Sequence, residues 1–63
     1  MTNQEIIELA TDKGFDAKIE KNGVVVRLFN RKISTMEAAT ELDIPRWSIF
    51  GHKDGVQIFG SDS

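Results

Sequence analysis

His52 is the one histidine of the chain, and Asp54 follows two positions later. An imidazole beside a carboxylate can relay a proton or begin a metal site, but zinc sites use three or four protein ligands and this pair supplies two. Because Asp54-Gly55 is a turn sequence, the expectation for His52 is a solvated hairpin end. The other carboxylates, among them Asp12, Asp16, Glu20, Glu37, Glu41 and Asp43, are spread over capping and surface positions, where they serve solvation and helix-end electrostatics. The five glycines stand singly, so no glycine-rich phosphate cradle is present. With no nucleophile beside a base, no paired carboxylates and no ligand cluster, the sequence predicts no catalytic, cofactor-binding or metal-binding residues, and no enzyme.

The elements that would carry any site can be read from punctuation. Thr2-Asn3-Gln4-Glu5 has the form of a capping box, in which hydroxyl and carboxylate satisfy each other's unpaired backbone donors. It predicts a helix over about residues 3–13, with Ile6, Ile7, Leu9 and Ala10 on its apolar side and Gly14 at its stop. Phe15, Ala17 and Ile19 then alternate with Asp16, Lys18 and Glu20, and Asn22-Gly23 leads into Val24-Val25-Val26. This is a hairpin signal, read with Lys21 opposite Val24 and positive φ at the turn glycine. Ser34-Thr35-Met36-Glu37 forms a second capping box before Ala38, Ala39 and Leu42, and Lys53-Asp54-Gly55-Val56 repeats the turn chemistry of Lys21-Asn22-Gly23-Val24. Ser34, Glu37, Lys53 and Gly55 each lie 32 positions after Thr2, Glu5, Lys21 and Gly23. The same offset places Trp47 on Phe15 and Ile49 on Ala17. The expected architecture is one α+β domain over residues 1–63, ordered α-β-β-α-β-β, with a four-stranded sheet and both helices on one face. It is built of two helix-hairpin units, about 2–29 and 34–61.

Residues 45–51 read in two ways. "EAATELDIPRWSIF" resembles the helix-turn-helix of small bacterial and phage regulators, with Ala39 as the small residue at the helix crossing and Ile44 and Ile49 as anchors of the second helix. The resemblance implies DNA reading, and a winged helix would make 45–51 a short helix and 53–59 the wing. Asp43, where that family prefers glycine, and Gly51, which shortens the second helix, depart from it. The alternation of Trp47 and Ile49 with Ser48 and Phe50 after Pro45 accounts for more residues, so a strand is favoured. The first half also loosely resembles small toxins with a double-stranded-RNA-binding-like fold. Their histidine has no counterpart at Val24 and Val25, so no catalytic role follows.

If Phe15, Ala17, Ile19, Val24, Val26, Leu28, Trp47, Ile49, Val56 and Ile58 face the helices, the pleat sends Lys18, Val25, Arg27, Phe29, Phe50, His52, Gln57 and Phe59 to the opposite face. Three of the four phenylalanines then lie outside the core, with Phe50 directly opposite Phe59. The candidate partner-binding residues are therefore Phe29, Phe50, Phe59, Arg27, Lys18, Val25 and His52. A protein partner, either a host factor or a second copy in a homodimer, is the first expectation. Single-stranded nucleic acid on the aromatics is the alternative, similar in surface to RNA-recognition-motif domains.

Bulk composition narrows these choices. Sixty-three residues bury only about 60% of their unfolded surface, which disfavours a deep catalytic cleft. A composition 40% hydrophobic and 29% charged suits a folded globular domain. A net charge of −2 and a pI near 5.2 weigh against sequence-independent nucleic-acid binding. The absence of cysteine, of a basic-then-apolar N-terminus and of a long apolar stretch leads to the expectation of a cytoplasmic protein that does not enter membranes. Small cysteine-free chains without catalytic residues are similar to phage or mobile-element accessory proteins that inhibit or redirect a host factor.

Overall fold

Two hydroxyl caps start the two helices. The computed structural model describes residues 1–60; the expected end of the second unit at residue 61 lies outside them. Thr2 Oγ1 accepts from the Glu5 amide at 3.2 Å, and the Glu5 carboxylate accepts from the Thr2 amide at 2.8 Å. This reciprocal pair opens α1, Asn3–Asp12. The backbone hydrogen bond from Thr2 holds the Glu5 carboxyl below its ordinary value. Ser34 Oγ likewise accepts from the Glu37 amide at 3.0 Å and opens α2, Thr35–Leu42. The second box is only half formed, because the Glu37 carboxylate turns away to a two-armed ion pair with Arg31, at 2.7 and 3.0 Å. A guanidinium fork is a stronger partner for a carboxylate than one amide.

The strands are β1 (Asp16–Glu20), β2 (Gly23–Arg27), β3 (Ile49–His52) and β4 (Gly55–Ile58), with a single 3₁₀ turn at Arg46–Ser48. They form one antiparallel sheet in the order β1-β2-β4-β3, with α1 against β1 and β2 and α2 against β3. The α-β-β-α-β-β order and the α+β class are those expected from the sequence. Between helices and sheet lie Ile6, Ala10, Phe15, Val24, Val26, Ile33, Ala38, Leu42, Ile44, Ile49, Val56 and Ile58, all buried. Each large aliphatic among them contributes about 1.5–3 kcal/mol by leaving water.

Both hairpins are shifted two residues from the expected pairing. Glu20 lies opposite Gly23 and His52 opposite Gly55, so the two-residue loops are Lys21-Asn22 and Lys53-Asp54. The left-handed backbone falls on Lys21, at φ 58°, and not on Gly23. A two-residue shift preserves the pleat, so the faces keep their predicted sides. Gly55 has the expected positive φ, at 158°, and both glycines are required by the closeness of their neighbours. A Cβ on Gly55 would stand 2.4 Å from the Val26 carbonyl oxygen, and one on Gly23 would stand 2.9 Å from the Phe59 ring.

The pairings repeat with the sequence offset. Glu20–Gly23 and Lys18–Val25 in the first hairpin become His52–Gly55 and Phe50–Gln57 in the second. At the junction of β2 and β4, Val25 pairs with Gln57, its own equivalent, while Val24 pairs with Ile58 and Val26 with Val56. That is the pattern of an internal two-fold axis passing between Val25 and Gln57.

The symmetry fails after α2. Pro45 occupies the place of Lys13, and the residue before a proline is disfavoured in a helix. The helix therefore stops at Leu42, Asp43 takes the left-handed conformation at φ 56°, and Ile44 enters the core. In the first half, Gly14 at φ 89° leads Phe15 into the core. In the second half the 3₁₀ turn stands there instead, and Trp47 is 82% exposed. Residues 45–51 are thus neither a full strand nor a recognition helix: 46–48 are a turn and 49–52 are extended. Ile19, on the inward side of edge strand β1, is also exposed, because no strand flanks β1 on the side away from β2.

Candidate functional site

The face away from the helices is not open throughout. Glu20 and His52, equivalent residues at opposite corners of the sheet, meet with His52 Nε2 at 3.1 Å from Glu20 Oε1. The Asp54 amide donates to His52 Nδ1 at 3.1 Å, which leaves the imidazole proton on Nε2 to be donated to Glu20. The Gln57 side-chain amide donates, through Nε2, to the Glu20 backbone carbonyl oxygen at 3.0 Å. For two sheet corners to meet, the sheet must coil strongly, and Val25 near its centre is 1% exposed. Val25 is therefore a buried residue and not a surface contact, a correction that follows from the coiling. His52 is not a lone solvated residue: it is half of a clasp. No group of three or more metal-binding side chains occurs among the described residues.

The remaining candidates separate into two regions. Phe29 is 78% exposed, in the loop after β2. Arg27 is half-buried, its Nε donating to the Leu28 carbonyl oxygen at 3.1 Å, and Lys18 is exposed. Phe50 and Phe59 do meet, with ring centroids 5.5 Å apart and planes at 69° in an edge-to-face arrangement. They are diagonal neighbours, since Phe50 lies opposite Gln57. The pair is 52% and 45% exposed.

Phe59 continues onto a surface that was not foreseen. A cleft of about 340 Å³ opens beside it, lined also by Met1, Ile6, Ile44, Pro45, Trp47 and Ile58. Its origin lies in the broken symmetry. The residues 32 positions from Trp47, Met1 and Gly60 are Phe15, Ile33 and Leu28; of these Phe15 and Ile33 are buried and Leu28 packs against the core. Around the cleft the indole stands outside, Met1 is 56% exposed and Gly60 has no side chain. Ile44 fills only part of the vacated volume.

Among the described residues Asp43 is the one charged side chain lining the cleft, and neither its carboxylate nor the neighbouring Arg46 guanidinium has a hydrogen bond or ion pair there. Comparison with protein-family models, with curated proteins and with solved structures finds no match to this chain. Function therefore has to be read from the surface itself. No helix among the described residues is long and apolar enough to cross a membrane.

The arrangement offers an exposed indole, an edge-to-face phenylalanine pair and an apolar hollow, running from the cleft round the end of β4 onto the outer sheet face. A surface of this kind can bind by desolvation and shape, and the carboxylate and guanidinium at its rim can select orientation. The signal for it was in the sequence as Pro45: a proline at the position equivalent to Lys13 has no N–H to cap the helix end, whereas the Lys13 amide donates to the Leu9 and Ala10 carbonyl oxygens.

Proposed function

We propose that this chain is a non-enzymatic interaction module that docks a protein partner through the Trp47 surface. The observation that carries the proposal is an indole 82% exposed beside an apolar cleft of about 340 Å³. Tryptophan and arginine dominate the energetics of protein interfaces, and an aromatic anchor next to a desolvated hollow is their usual setting. Phe50 and Phe59 extend the same surface, whereas Phe29, Lys18 and Arg27 lie outside it. Inhibition or redirection of a host factor would be a consequence of such docking. The acidic rim at Asp43 favours protein over nucleic acid, which needs several cations along its path.

The test is a comparison of partners captured by the wild-type chain, by Trp47→Ser, by Phe50→Ser with Phe59→Ser, and by Phe29→Ser. The expected outcome is a partner lost in the first two variants and retained in the third. Equal capture by all four would refute the assignment. Binding to a single-stranded oligonucleotide that weakens steeply with salt and requires Phe50 and Phe59 would favour the nucleic-acid alternative.

A further inference from the structure

We propose that the occupant of the cleft is Trp47 of a second copy of this chain, exchanged reciprocally in a two-fold dimer. The inference rests on the interaction surface assigned above and names its partner. Three features point to it.

The first is shape. The cleft is the counterpart of the volume that Phe15 fills in the first half of the molecule, so it is suited to an aromatic side chain. The chain's own residue for that place, Trp47, stands outside it at 82% exposure. Projection and hollow lie side by side on one surface. A two-fold axis between them, in the plane of contact, places each projection over the partner's hollow, so any such adjacent pair is self-complementary in an isologous interface.

The second is charge. The projection carries Arg46 next to the indole, and the hollow carries Asp43 on its rim; both are exposed and unpaired among the described residues. In the reciprocal arrangement Arg46 of each copy approaches Asp43 of the other, so one symmetry operation forms two ion pairs and leaves none of the four charges alone. A partner presenting an acidic segment would instead face Asp43 with like charge.

The third is economy of apolar surface. Met1, Trp47, Phe50 and Phe59, between 45% and 82% exposed, flank the same region. A 63-residue chain with a solvent-accessible area of 4129 Å² gains from covering such a surface, since small domains commonly complete their cores by association. The interface would be small, and the expected dissociation constant is on the order of micromolar.

Sedimentation equilibrium of the full chain from roughly 1 µM to 1 mM tests this, together with the emission of its single tryptophan. Association is expected with concentration, accompanied by a blue shift as the indole leaves water. Trp47→Ala should weaken the dimer about thirtyfold or more, as loss of an interface hot spot. Asp43→Asn, which tolerates the left-handed backbone, should weaken it through the lost ion pair. Asp43→Arg and Arg46→Asp should each fail to dimerise alone but associate when mixed, because each mixed contact then pairs opposite charges. Far-UV circular dichroism checks that every variant is folded.

A chain monomeric at 1 mM with a fully exposed indole would overturn the proposal, and so would a dimer indifferent to Trp47. A blue-shifted emission independent of concentration would overturn it too, by showing the indole folded into its own cleft. In any of these cases Trp47-dependent capture of a different protein would leave the interaction-module assignment standing.

Discussion

Phe15 and Trp47 occupy equivalent places in the two halves, and the consequences of truncating them should differ sharply. Phe15 is 8% exposed within the core and Trp47 is 82% exposed. Removing a buried phenylalanine ring to alanine costs about 3–5 kcal/mol, the sum of lost burial and a residual cavity. A 63-residue domain has a total stability of about 3–9 kcal/mol, so Phe15→Ala should be unfolded or close to it at room temperature. Phe15→Leu, which retains most of the volume, should cost about 1 kcal/mol and lower the thermal midpoint by about 4–8 °C. Trp47→Ala removes a larger ring yet should change stability by about 0.5 kcal/mol or less, the ordinary range for an exposed substitution. Urea melts followed by far-UV circular dichroism in dilute solution measure all three, since the backbone signal does not depend on the tryptophan. If Trp47→Ala costs more than about 2 kcal/mol in the monomer, the indole is packed and not projecting, and the cleft with its exposed rim would have to be abandoned.

The glycine positions rank themselves by what a methyl group would meet: Gly55→Ala, aimed 2.4 Å from the Val26 carbonyl oxygen, should cost about 1–3 kcal/mol. Gly23→Ala, whose nearest neighbour at 2.9 Å is the movable Phe59 ring, should cost less, and thermal midpoints of the two variants would show the order. Loss of the cap hydroxyl in Ser34→Ala should destabilise by about 0.5–2 kcal/mol in a chemical melt, with Ser34→Asp retaining the wild-type value. Glu5 and Glu37 have carboxyls held below their ordinary value, Glu5 by the Thr2 backbone hydrogen bond and Glu37 by its hydrogen bond to Arg31. A depressed native pKa adds stability that is fully present above the unfolded carboxylate pKa and lost as pH falls through the folded one. Thermal midpoints of the wild type should therefore decline on acidification below about pH 4.5, and Glu5→Gln with Glu37→Gln should flatten that decline. Glu20→Gln, by weakening the clasp over Val25, should lower the midpoint while leaving both hairpins paired, as amide chemical shifts would report.

The alternation of faces was legible because it depends only on the parity of apolar positions, and it survived an error of two residues in both turns. The loops themselves were misplaced because Asn22-Gly23 and Asp54-Gly55 fit a primed turn equally well on paper. The approach of Val26 and Phe59 to the glycines, which decides the register, comes from a neighbouring strand and a neighbouring side chain distant in sequence. The clasp was invisible for a related reason. Glu20 and His52 are joined by the coiling of the whole sheet, so no local pattern links them, and Val25 was assigned to an open face that the coiling closes. Trp47 was assigned to the core by analogy with Phe15, and the analogy failed at one residue, Pro45. A proline there moves the anchoring role from position 47 to Ile44, a change in which residue is buried and not in whether one is.

Internal two-fold symmetry with one broken corner also separates two tasks that small proteins usually have to combine. The corner around Phe15 is occupied with cohesion: its aromatic is inside, in one core with Ile33. The other corner leaves the equivalent aromatic free, with Ile44 supplying the anchor in its stead. A chain with the Phe15 corner in both places would be well filled there, with neither hollow nor projecting indole. A chain with the Trp47 corner in both places would carry the surface twice and bury one aromatic fewer. The natural sequence sits between these extremes, so substitutions around Trp47 have room to retune recognition while the cohesive corner goes unchanged.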